Sequence, residues 1–284
     1  MDAHIDVLHQ MEKISSIFQH ALQVSTEQID ADPLMYINTV DLEFRAVAYE
    51  GVAMGYALTD LEAGTLRQWR AFMRTSPVAY LPHIHVGLGW AVAKKQVPSL
   101  SFIDPLEPIM QFRVADGCGY YDGTFRKLQT ITKRERSKAI EPKDFQAYDQ
   151  GVGRSIWYHS KGDNDLVSSA IQQFDVARAA DLWRGVGIAC SFVGGCEANR
   201  LRHLHQLASP HQQQLAIGAA FTARARTQTN SVTKSSELAC QIWGNLSVEM
   251  ATQLTEATQP NTKNVGDEVY KIWVSKLESE LQLS

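Results

Sequence analysis

The chain has 284 residues, 44% of them hydrophobic and 20% charged, with 27 basic against 31 acidic residues and a net charge of -4. That length allows about two ordinary domains or one repeat array, with a core large enough to need no disulfide or metal staple. The charge balance argues against a dedicated nucleic-acid binder, whose electrostatic footprint would be basic. The opening residues "MDAHIDVLHQ" lack the basic n-region of a secretory signal, and no apolar run is long enough to span a membrane. Cys118, Cys190, Cys196 and Cys240 form no paired framework, so a reducing cytoplasm is expected.

In chain order, Leu8, Met11, Ile14, Phe18 and Leu22 recur at steps of three and four and predict an N-terminal amphipathic helix. Residues 25–44 are of mixed pattern and contain Pro33, which predicts a loop or short helices. A repeat then begins. "GVAMGYA" starts at Gly51, "HVGLGWA" at His85, "ADGCGYY" at Ala115, "GVGRSIW" at Gly151, "GVGIACS" at Gly185 and "AIGAAFT" at Ala216. The starts are 34, 30, 36, 34 and 31 residues apart, and the second three copies are offset from the first three by 100, 100 and 101. A triplet of units therefore looks duplicated.

Several cassettes are followed by a second stretch of helical period, as in Leu66, Trp69 and Phe72, or Leu201, Leu204 and Leu207. Each unit then reads as a helix pair whose small residues let backbones approach closely. Gly disfavours a helix by ~1 kcal/mol relative to Ala, so these positions need a packing or site reason. No cassette has the Gly spacing of a dinucleotide turn. The basic segment Arg126 to Lys138 is expected to be a solvated connector within residues 123–141, which join the triplets. Residues 258–267 are expected to form a surface loop, and Val269, Ile272, Trp273 and Leu277 a C-terminal helix.

The expected fold is thus all-α, a helical-repeat array of six helix-pair units forming a solenoid or an α/α toroid. It divides into an N-terminal cap (1–44), a first triplet (45–140), a second triplet (141–245) and C-terminal capping helices (246–284).

Polar residues flank equivalent cassette positions and become candidates for one shared cavity: Glu50, His85, Asp116, Asp122, Asp149, Gln150 and Arg184. The competing reading of such residues is helix capping or ion pairing. Two depart from the pattern. Asp116 stands where the other copies carry Val or Ile, and a carboxylate there would have a raised pKa suited to a general acid. Asp122 follows it by six residues. Arg154 replaces an aliphatic or sulfur-bearing residue and could clamp an anion or pair with an acid. Tyr56, Trp90, Tyr120, Tyr121 and Trp157 supply aromatic walls. His83 and His85, like His203 and His205, lie two apart and would point to opposite sides of a helix, so no metal and no other cofactor is expected.

The strings "YEGVAMGYALTDL", "HIHVGLGWAVAK", "DGCGYYDGTF", "DQGVGRSIWY" and "DLWRGVGIACSFVGG" resemble a bacterial family known mainly as a domain of unknown function. Its members occur in enediyne and related natural-product gene clusters. The resemblance runs from about Tyr49 to Trp243 and carries over Glu50, Gly51, His85, Asp116, Gly117, Asp149, Gly151, Arg154 and Trp157 as motif positions. Where the family more often reads Gly-Phe-His, this chain has Gly119, Tyr120 and Tyr121. The resemblance implies a pathway of polyenes or other hydrophobic intermediates and no particular reaction.

The expected function is a cofactor-independent cyclase or isomerase acting on a hydrophobic polyene or isoprenoid-like small molecule. Asp116, Asp122, Glu50 and His85 would be the acid–base candidates, and Tyr56, Trp90, Tyr120, Tyr121, Arg154 and Trp157 the substrate contacts. A partner enzyme of the same pathway is possible, and no nucleic-acid partner and no membrane-spanning segment are expected. The alternative is a non-catalytic helical-repeat scaffold that binds a partner enzyme or carrier protein.

Overall fold

Three of the cassette helices begin earlier than their polar residues suggest, because a tight 3-10 turn leads straight into each. Leu42–Phe44, Val78–Tyr80 and Pro142–Asp144 run without a break into α3 (Arg45–Glu62), α5 (Leu81–Lys95) and α7 (Phe145–His159). Glu50, His85, Asp149 and Gln150 therefore lie within helices and cap nothing. Side-chain caps occur instead on other helices, such as Asp163 on α8 (Asn164–Ile171), Asp175 on α9 (Val176–Val193) and Thr233 on α12 (Lys234–Gly244). Each accepts an otherwise orphaned N–H of the first turn.

The computed structural model describes residues 3–27, 32–97, 108–261 and 268–282, and among them all regular structure is helical. The remaining helices are α1 (Ala3–Thr26), α2 (Pro33–Thr39), α4 (Arg67–Thr75), α6 (Pro108–Phe125), α10 (Ala198–Leu207), α11 (Gln212–Gln228), α13 (Val248–Thr258) and α14 (Val269–Gln282). The N- and C-terminal amphipathic helices are thus present as α1 and α14. Residues 25–44 hold α2 and a 3-10 turn, with 28–31 outside the described residues. Of the expected loop 258–267, residues 262–267 also lie outside them. No helix of the described residues is long and apolar enough to cross a membrane.

A helix pair follows the cassette pattern at α3–α4, α7–α8, α9–α10 and α11–α12. The third cassette, on α6, is followed instead by one π turn, Leu128–Thr132. The cassette helices pack in chain order, α1 on α3, then α5, α6, α7, α9 and α11. Their glycines make this possible. A methyl group at Gly87 would lie 2.3 Å from the Glu50 carbonyl oxygen, and one at Gly151 1.9 Å from that of Asp116. The same holds for Gly185 against Gln150 at 1.9 Å and Gly218 against Arg184 at 2.4 Å. Each of these contacts presses the next helix onto the backbone of a polar candidate residue. Because backbone faces backbone, Gly151→Ala has nowhere to relax and should cost about 3 kcal/mol or more. Urea unfolding at neutral pH measures it, and a loss below ~1 kcal/mol would contradict this packing.

One buried apolar cluster includes residues from Val7 to Ala251. A second joins Phe112 and Ala115 of α6, Ala147 of α7 and Ile217 and Phe221 of α11 to Tyr270, Trp273 and Leu277 of α14. The last helix thus packs between cassette helices, where Tyr270 and Trp273 enter the interior.

The expectation of a solvated basic connector is corrected at two residues, Arg126 and Arg136. Arg126 bonds Asp122, Arg136 bonds the fully buried Asp149, and Arg134 donates to the Gln173 carbonyl. Lys127, Lys133, Arg134 and Lys138 are exposed as expected, but Arg126 and Arg136 are anchors, because the buried acids Asp122 and Asp149 need counterions.

Candidate functional site

Two of the polar cassette residues, Glu50 and Asp116, line a small interior cavity of about 60 Å³, to which α3, α5, α6, α7, α9 and α11 all contribute. Glu50, His83, Arg113, Asp116, Arg154 and Tyr158 supply its polar wall, and Phe192 and Phe221 its apolar one. A larger chamber of about 410 Å³ adjoins it and shares Glu50, Arg154, Tyr158 and Phe192. That volume falls in the usual range for small-molecule sites.

Aromatic rings organise the larger chamber around Trp90. Phe18 lies 4.8 Å from its ring, Tyr120 4.7 Å and Tyr121 5.8 Å, the two tyrosines edge-on. Phe18 and Leu22 come from α1, so the N-terminal helix forms a wall of the chamber.

Within the small cavity the two departures from the repeat pattern meet. Arg154 donates to one Asp116 oxygen, and the Gln150 amide donates to the other at 2.8 Å. Burial disfavours the Arg154 cation, but Asp116 and Glu50 more than offset it and raise its pKa. The guanidinium also lies 4.3 Å from the centre of the Tyr120 ring. Gln150 extends the network, because its carbonyl accepts from Arg184 at 3.2 Å and from the Tyr270 hydroxyl at 2.5 Å. Asp116 thus has both oxygens engaged, which suits a residue that positions Arg154 better than a free proton donor.

Glu50 is different. It is buried, it faces both cavities, and burial raises its pKa to about 7, with Arg154 opposing that rise and Asp116 adding to it. The Trp90 indole N–H lies close enough to favour its charged form slightly but falls short of hydrogen-bond geometry. A carboxyl group titrating near neutral pH in an apolar chamber can both take and return a proton.

The neighbouring groups hold their protons differently. Burial pushes His83 down to about 3, with Arg113, Arg154 and Arg226 adding to the effect, so it is neutral. Burial raises Tyr158 to about 12 and Tyr120 well above the ordinary phenol range. Among the described residues no group of three or more His, Cys, Asp or Glu is arranged to hold a metal ion.

Glu50, Asp116, Arg154, Trp90, Tyr120 and Tyr121 are therefore brought together. The other candidates are not. α6 continues through Asp122 to Phe125, and six residues at ~100° each turn Asp122 about a third of a circle from Asp116. Asp122 is instead bonded to the Tyr148 hydroxyl and Arg126, both at 2.9 Å. His85 sits opposite His83, bonds the Leu81 carbonyl at 2.7 Å and meets Trp69 edge-on, while burial lowers its pKa to about 4. Tyr56 packs on Phe72, and Trp157 is wholly buried core.

Sequence reasoning missed Arg113, Tyr158 and Phe192, and passed over His83. A signal was present for the first two. One helical turn from Asp116 reaches Arg113, and one turn from Arg154 reaches Tyr158.

Fold and site together define an all-α protein built around an interior aromatic cavity lined by a buried carboxyl group of raised pKa. The chain belongs to the family described as Protein of unknown function (DUF1702), which matches residues 2–281. No curated protein and no solved structure matches it.

Proposed function

We propose that this protein is a cofactor-independent enzyme of bacterial natural-product biosynthesis, of the enediyne-cluster kind, that isomerises a hydrophobic polyene or isoprenoid-like substrate with Glu50 as the proton carrier. The observation that carries the reading is a buried carboxyl group with a pKa near 7 at the junction of an aromatic chamber and a polar cavity. The Glu50 carboxylate removes an allylic proton, and the C–H electron pair becomes part of a shifted double bond. The protonated acid then returns the proton at the far carbon of the allyl unit. Atoms and electrons balance without a co-reactant.

Cyclisation through a carbocation is the weaker half of the expectation. Arg113 and Arg154 against Asp116 leave one positive charge uncompensated while Glu50 is protonated. A like charge ~5 Å away costs about 3 kcal/mol at an effective dielectric of ~20. The ring faces return only about 0.5–2 kcal/mol. Proton abstraction, which develops negative charge, suits the site better. Asp116 moves from acid to positioning residue in this scheme, with Arg154 the group it holds.

The ordered packing of the cassette helices around one cavity supports a closed α/α ring over an open solenoid. Free, buried thiols at Cys118, Cys190, Cys196 and Cys240 fit a cytoplasmic setting. The scaffold alternative rests on a different feature, a broad groove along α12 and α13 with Val232 and Met250 exposed beside it.

The test is incubation with polyene and isoprenoid lipids in D2O, with products read by mass spectrometry. Wild-type protein should shift a double bond with incorporation of solvent deuterium, at a rate that rises towards a plateau above about pH 7 as Glu50 ionises. Glu50→Gln should lose on the order of 10²-fold or more. Wild-type turnover retained in Glu50→Gln would remove Glu50 from the mechanism.

A further inference from the structure

Most interior arginines of this protein have hydrogen-bonded partners, although the Arg226 Nε has none. Arg154 and Arg178 hold Asp116 and Asp149. Arg184 bonds Asp181, Gln150, Gln214 and Tyr270, and Arg226 donates to the carbonyls of Glu43, Ser231 and Phe192. Arg113 and Arg224 are exceptions. Among the described residues neither has a hydrogen-bonded or ion-paired partner, and the Arg224 Nε is buried with none.

Both guanidiniums lie against aromatic rings, Arg113 4.6 Å from the centre of Phe112 and Arg224 5.1 Å from that of Trp273. Both line a third cavity of about 210 Å³, together with the amides Gln228 and Gln259. No carboxylate lines it. This cavity adjoins the small polar one and shares Pro82, Arg113, Phe221 and Ala225 with it. Burial lowers the pKa of Arg113 to about 10, so it stays a cation at neutral pH.

Asp116 and Glu256 stabilise these two cations only from beyond hydrogen-bond reach, and the ring faces recover only part of the cost of their partial desolvation. An oxyanion bound between two guanidinium forks would recover the rest, because their planar donors match carboxylate and phosphoryl oxygens pairwise. We propose that Arg113 and Arg224 form an oxyanion subsite for the head group of a long-chain amphipathic substrate, whose apolar tail occupies the aromatic chamber. The inference rests on the proposed use of that chamber and adds the substrate's polar end. The head lies on the Arg224 side of the small cavity, and the tail passes Glu50 towards Trp90. Glu50 therefore meets the substrate within the chain, several bonds from the head.

Three ligands with comparable tails separate the possibilities: a long-chain fatty acid, geranylgeranyl diphosphate and the neutral geranylgeraniol. Affinities are read from quenching of tryptophan fluorescence in wild type, Arg113→Met and Arg224→Met. At least one anionic ligand should bind wild type about tenfold or more tightly than the alcohol, and which one does so tells carboxylate from phosphoryl. Each variant should erase that preference while moving the alcohol's affinity by less than about twofold. The variants should fold, since neither arginine has a hydrogen bond or ion pair to lose and methionine keeps most of the buried stem. Equal binding of anions and alcohol to wild type would overturn the subsite and leave the apolar chamber standing. So would a preference that survives in both variants. Failure of all three ligands to bind would overturn the subsite and the chamber together.

Discussion

Asp149→Ala should lose about 3–5 kcal/mol of stability, the largest effect of any charge deletion in this protein. Asp149 is fully buried and accepts from two arginines. The Arg136 Nε reaches both of its oxygens at 3.1 Å, while Arg178 donates from Nε at 3.0 Å and from Nη2 at 2.6 Å. Removing the acid leaves the nearly buried Arg178 without its carboxylate, beside a second cation. Asn at this position keeps the shape but not the charge, and its amide N–H groups would face guanidinium donors. Arg136 is the more exposed partner, 27% against 7% for Arg178, so Arg136→Met should cost least and Arg178→Met an intermediate amount.

Urea unfolding at pH 7 gives the ranking, with Asp149→Asn close to Asp149→Ala. A second readout is local. Arg136 anchors the segment from Arg126 to Lys138, which carries several trypsin sites, so Asp149→Asn should be cut there faster than wild type under native conditions. An Asp149→Asn protein within ~1 kcal/mol of wild type, and cut no faster, would contradict the anchoring role.

The sequence displays those parts of this architecture that depend on one helix at a time. Cassette glycines are conspicuous because a helix does not favour them, and their contacts with the carbonyls of Glu50, Asp116, Gln150 and Arg184 give the reason. Asp116 and Arg154 each break the repeat at one place, and they are partners for each other. Arrangements that depend on how helices sit against one another are not displayed. Nothing local distinguishes Asp149, which takes its counterions from two other elements, from a solvated acid. Tyr270 gives no local sign that it will meet Gln150 and Arg184, residues far away in the chain. Phase within a helix is the other limit. His83 and His85 exchange roles because a difference of two residues reverses direction, and Asp122 leaves the cavity for the same reason.

Glu50→Gln should stabilise the protein at pH 8 while removing its proposed activity. The wild-type carboxyl group titrates at about 7 when folded, against 4.5 for its ordinary value. Between those two values the native state holds a proton that the unfolded chain has released. The favourable contribution of Glu50 is therefore complete below about pH 4.5 and is lost as pH rises through 7. Above that point folding confines a charge in an apolar chamber. The cost is up to ~3 kcal/mol, because each tenfold change in proton affinity corresponds to about 1.36 kcal/mol.

Glutamine has almost the same shape and never ionises, so the variant escapes this penalty. At pH 8 the gain corresponds to roughly 5 °C in melting temperature for a chain of this size, and it should fade towards zero by about pH 4.5. Asp122 and Asp181 also have raised pKa values, through burial, but they titrate identically in both proteins and cancel from the difference. Water drawn into the chamber by the ionised carboxylate would shrink the gain without changing its sign. Melting curves for the pair at pH 5 and pH 8 decide the matter. Equal melting temperatures at both pH values would mean that Glu50 titrates as an ordinary surface carboxylate, and the acid–base reading would lose its foundation. A gain confined to high pH, accompanied by loss of turnover, would mark Glu50 as a group held in a destabilising place for chemical use.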